Sequence, residues 1–121
     1  MTPKRFVSDV LKTVVDGGVA MYKETLSDPG PVTDPYWKRL LTLYHGLPPR
    51  QRKVVLEIMR QVQVDTVSEL FGIFDGTSAL AGRSEDFELF HKQGQKRVRL
   101  NGDLQDLFLE KIERLEKPGK R

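Results

Sequence analysis

Apolar side chains recur at steps of three and four through most of this chain, and several prolines stand where such runs begin. That pairing constrains the fold more than any other feature. A period near 3.6 buries one face of a helix. Proline is tolerated at a helix's first position because the N–H it lacks would have no partner there. In "TPKR", Thr2 is placed as the N-cap and Pro3 as the first helical residue, with Phe6, Val7, Val10, Leu11, Val14 and Met21 following at helical spacing. Gly17-Gly18 falls inside this pattern, each glycine costing about 1 kcal/mol relative to alanine. The pair marks a kink, a helix end or a close contact with another helix, and the helix is expected to continue, weakened, to about Thr25.

"SDPGPVTDP", residues 27–35, reads as a loop, and Asp34-Pro35 repeats the cap-and-proline device. Trp37, Leu40, Leu41 and Tyr44 then form the stripe of a short second helix ended by Gly46; this face serves either as core or as interface. Pro49 opens a third helix, with Val54, Val55, Ile58, Met59 and Val62 as its expected buried positions. There the phase slips, because Val62 to Val67 is a step of five, and Thr66 and Glu69 have the spacing of a capping box. The expectation is a break near Val64-Asp65 and a separate helix from Val67 to Phe74, with Leu70 and Phe71 on its buried side and Gly76 closing it in a left-handed conformation.

From Asp86 the period changes. Phe87 to Lys92 and Lys96 to Leu100 read as two short strands around "QGQ", with Phe87 and Leu89 facing Val98 and Leu100. An isolated hairpin is barely stable, so it must lie on the helices. Asn101-Gly102 reads as a turn and Asp103 as the cap of a last helix with Leu104, Leu107, Phe108, Ile112 and Leu115 on one face. The fold class expected is mainly α with one β-hairpin in the C-terminal half (α+β): about five helices in a single domain, residues 1–116, followed by a mobile charged tail, residues 117–121.

At 121 residues the chain can bury roughly two thirds of its unfolded surface, enough for one ordinary core. It has no cysteine, which excludes disulfides, thiolate zinc sites, Fe–S clusters and thiol catalysis. The early apolar run is interrupted by Asp9, Lys12 and Asp16, so it lacks the apolar stretch of a signal peptide, and no run suits a membrane span. A cytoplasmic location is expected. Twenty basic against seventeen acidic residues give +3, too balanced to imply a nucleic-acid partner from net charge.

Asp75, Thr77 and Ser78, with His45 or His91, supply the letters of a hydrolase triad, but "GIFDGTSALAG" holds neither G-x-S-x-G nor a phosphate-binding glycine pattern. "DGTS" is therefore expected to be a structural turn whose glycine matters more than its hydroxyls. Asp103, Asp106 and Glu110 share one helical face; acids in a first turn stabilise the helix dipole, and no metal or cofactor is expected. Two basic clusters remain as candidates for partner binding: Arg50, Arg52 and Lys53 at the start of the third helix, and Lys92, Lys96, Arg97 and Arg99 on the hairpin.

"YWKRLLTLYHGLPPRQRKVVLEIMRQ" resembles the central helical hairpin of small bacterial single-domain proteins, and "LNGDLQDLFLE" resembles their closing segment, a hairpin running into a final helix. The resemblance spans Tyr36 to Glu113. Some of these proteins look like immunity or accessory proteins of polymorphic toxin systems, which work by binding a cognate toxin. The resemblance implies a non-enzymatic protein-binding module of a bacterial cell. The alternative is a nucleic-acid-binding protein that lays the basic hairpin, residues 92–99, on phosphates.

Overall fold

Three helices contribute three buried side chains each to the main core of the computed structural model, which describes residues 1–116. The expected tail, 117–121, lies outside the described residues. The first helix begins at α1 (Pro3–Val10), where Thr2 Oγ1 accepts the Arg5 N–H at 3.2 Å. It passes through a π-helical stretch (Leu11–Asp16) into α2 (Gly17–Ser27), with helical backbone across both junctions. A neighbouring side chain braces this stretch: Gln63, with Nε2 turned toward it, donates to Val14 O and Val15 O at 3.0 Å each, and Val14 O also accepts the Gly17 N–H of its own helix. Gly18 lets that amide in, since a Cβ there would stand 2.9 Å from it. Of the three roles open to the glycine pair, close helix contact is the one realised.

Asp34 Oδ1 accepts the Tyr36 N–H at 2.9 Å and starts α3 (Pro35–Gly46). Next comes α4 (Pro49–Asp75), one uninterrupted helix of 27 residues. The expected break near Val64-Asp65 is not there. Thr66 makes no capping box; its Oγ1 donates to Val62 O, 2.7 Å away, within the running helix. The slip in the apolar pattern has another cause. Val55 and Met59 pack on a small cluster built by Leu26, Leu41 and Tyr44, whereas Val64, Val67 and Phe71 belong to the main core. At about 100° per residue, Val55 and Val64 point in nearly opposite directions. The helix changes neighbours halfway along, and its buried face rotates with them.

The main core joins Val7, Leu11 and Val15 of the first helix to Val64, Val67 and Phe71 of α4 and to Leu104, Phe108 and Ile112 of α5 (Leu104–Leu115). Phe71 links all three, its ring 6.1 Å from Phe6 and 5.5 Å, edge-on, from Phe108. Burying a side chain of this size contributes about 1.5–3 kcal/mol. Several residues expected inside are exposed: Val14, Met21, Val54, Ile58, Val62, Leu70 and Leu115.

Strands β1 (Phe90–Gln93) and β2 (Lys96–Arg99) pair antiparallel, with Phe90 opposite Arg99 and His91 opposite Val98. The base of the hairpin meets the helices, with Leu89 packed against the main core. Leu89 accepts the Leu100 N–H at 2.8 Å, and Phe87 packs edge-on against Phe74, 6.0 Å between ring centres. Val98 faces His91 on the projecting part, so Phe87 and Val98 are not partners as expected.

Between α4 and the hairpin, Leu80 and Arg83 exchange both backbone hydrogen bonds around Ala81-Gly82, whose φ angles are 52° and 77°. Two successive positive φ values define the turn that favours Asn-Gly, and alanine fits its first position poorly. Ala81→Asn is expected to raise the unfolding free energy by about 0.5–1 kcal/mol, read from urea denaturation midpoints.

Candidate functional site

"DGTS" is a joint between helices. Gly76 ends α4 with φ 81° and ψ 9°, and the Thr77 and Ser78 N–H groups both donate to Gly72 O, at 2.9 and 3.0 Å. Such bonds use carbonyls that a helix end leaves unpaired. Thr77 Oγ1 donates to the same carbonyl at 3.2 Å. The Asp75 carboxylate crosses to α5 instead: Oδ1 accepts from the Gly102 and Leu104 N–H groups at 2.7 and 3.1 Å, and Oδ2 from Gln105 N–H at 2.8 Å. Asp103, expected as the cap of α5, makes no side-chain cap bond; Asp75 does that work from 28 residues upstream. His45 closes α3 at the far end of α4, a helix about 40 Å long, from Asp75, Thr77 and Ser78, while His91 stands on the hairpin, paired opposite Val98. Among the described residues no three His, Asp or Glu side chains converge on a metal-sized space. Glu110 instead pairs with Arg114.

The two basic clusters are likewise held apart, one at each end of α4. Within the first, Arg52 is engaged inside the molecule. Its Nε donates to Tyr44 O and Leu47 O at 3.1 and 2.8 Å and its guanidinium to His45 O at 2.9 Å, capping the C-terminus of α3 while lying over the Tyr44 ring. Arg50 and Lys53 stay exposed. On the hairpin, Arg97 stacks on Phe90 at 4.5 Å, and Arg99 meets Glu88 at 3.9 Å and Asn101 Oδ1 at 3.3 Å, while Lys92 and Lys96 are exposed.

A further site, on the Trp37–Tyr44 face that the sequence leaves as either core or interface, lies where α2, α3 and the first half of α4 meet. Trp37, Leu40, Leu43 and Leu47 of the α3 region, with Tyr22 and Leu26 of α2 and Val55 and Met59 of α4, line an open pocket of about 180 Å³ with almost no polar surface. Beside it, a second depression is lined by Lys23, His45, Arg52 and Lys53. Tyr44 forms part of both walls. The Trp37–Tyr44 face is thus divided: Leu41 and Tyr44 are buried, while Leu43 is 67% exposed. The leucines at 40, 41, 43 and 47 were the available signal, since they are too many for one narrow stripe.

No family model, curated protein or solved structure matches this chain. Among the described residues, no helix is long and apolar enough to cross a membrane.

Proposed function

We propose that this chain is a non-enzymatic protein-binding module that receives a partner at the α2–α3–α4 end. The observation that carries the reading is the junction at Tyr44 of an apolar pocket with a depression lined by Lys23, Arg52 and Lys53. Apolar pockets anchor partner side chains, and charge at the rim sets orientation and on-rate. The partner this arrangement fits presents an apolar side chain next to an acidic one. An immunity-type inhibitor or accessory protein of the bacterial cytoplasm works in this way, by occupying a surface of its target.

Leu43→Glu tests the proposal. Leu43 is largely exposed, so the variant should keep its melting temperature. It should lose a protein that the wild type captures from native lysate, while Lys92→Ala/Arg97→Ala keeps it. Capture that needed the hairpin lysines and arginines, or a low-salt gel shift that they controlled, would favour the nucleic-acid reading. Capture indifferent to Leu43 and Lys53 would overturn the proposal.

A further inference from the structure

Val54, Ile58 and Val62 leave 46, 59 and 58% of their surface exposed and belong to neither hydrophobic cluster. They stand at successive steps of four on α4, so they form a single ridge of the kind that packs between helices. This face adjoins the one that lines the apolar pocket through Val55 and Met59 but is distinct from it.

The ridge carries charges of opposite sign at its two ends. Exposed Arg50 precedes Val54, and exposed Asp65 and Glu69 follow Val62. At about 100° per residue, Asp65 and Glu69 fall within the arc that the ridge spans, and Arg50 lies about 40° outside it, within reach of a long side chain. Gln61 Nε2 donates to Asp65 Oδ1 at 3.0 Å, which leaves the second carboxylate oxygen available. A face that is apolar in the middle, positive at one end and negative at the other becomes complementary to itself when turned end for end.

We propose that α4 pairs antiparallel with α4 of a second copy of this chain, across a twofold axis at Ile58. That arrangement sets Ile58 on Ile58, Val54 on Val62, and Arg50 beside Asp65 of the second copy. Each contact then forms twice, as in any twofold interface. An unrelated helix would need the same apolar spacing and the same reversed charge order, which a second copy supplies by construction. The pairing is independent of partner binding at the pocket. With one ridge per chain, the interface belongs at the small end of the specific range, so association depends on concentration.

Sedimentation of the full chain over a concentration series reads the result. The wild type should approach twice the mass of one chain. Ile58→Asp should stay monomeric with unchanged helical circular dichroism, and Leu43→Glu should dimerise like the wild type. Arg50→Glu or Asp65→Lys alone should raise the dimer dissociation constant about tenfold, and the two together should return it to within about threefold of wild type. A wild type that stays monomeric throughout, dimerisation unaffected by Ile58→Asp, or a double variant no better than either single one would overturn the proposal.

Discussion

Asn101→Ala is expected to lower the unfolding free energy by about 3 kcal/mol and the melting midpoint by roughly 10 °C. The residue is 7% exposed, and its amide uses its full hydrogen-bonding capacity. Nδ2 donates to Phe74 O and Phe87 O, while Oδ1 accepts the Leu89 N–H at 2.8 Å and Arg99 Nε at 3.3 Å. One side chain therefore ties the end of α4 to the base of both strands and to the entry of α5. Alanine would leave two carbonyls and one N–H without these partners, and buried polar groups that lose partners cost about 1–3 kcal/mol each before water relieves them. Asn101→Asp should do no better at neutral pH, because a carboxylate cannot donate to the Phe74 and Phe87 carbonyls. Differential scanning calorimetry on the three chains checks the order. A midpoint within a degree or two of wild type for Asn101→Ala would show that the joint is not held by this amide.

Asp75→Ala is the next largest effect, about 2 kcal/mol. The carboxylate accepts three backbone N–H groups at the start of α5, and a negative charge there also suits the positive end of the helix dipole. Asp75→Asn should recover part of the loss, since its carbonyl oxygen still accepts while its nitrogen cannot. Ser78→Ala makes the contrast within the same turn. The Ser78 backbone N–H binds Gly72 O and would be untouched, so little change is expected. Urea denaturation of the three variants decides whether "DGTS" acts through its carboxylate, as the geometry requires, or through its hydroxyls.

The helix starts were legible because they are local. Thr2-Pro3 and Asp34-Pro35 carry their own donors' partners within two or three residues, and both open helices as read. Gly76 was legible for the same reason: a left-handed residue is required wherever a chain turns sharply off a helix. The mainly helical class with one late hairpin followed from the change of apolar period after Asp86.

Other features could be decided only by the tertiary structure. The apolar pattern slips between Val62 and Val67 because α4 passes from one neighbour to another, and periodicity records which side of a helix is covered, not whether the helix continues. Asn101 and Asp75 read locally as turn residues, yet their partners lie up to 30 positions away. Arg52 reads as a free cation until α3 brings its C-terminal carbonyls to it. Short-range chemistry is written along the chain, where a residue and its partner stand a turn apart. Which face is buried, and which polar group a distant side chain satisfies, depends on how the helices cross, and that is set by packing among residues far apart in sequence.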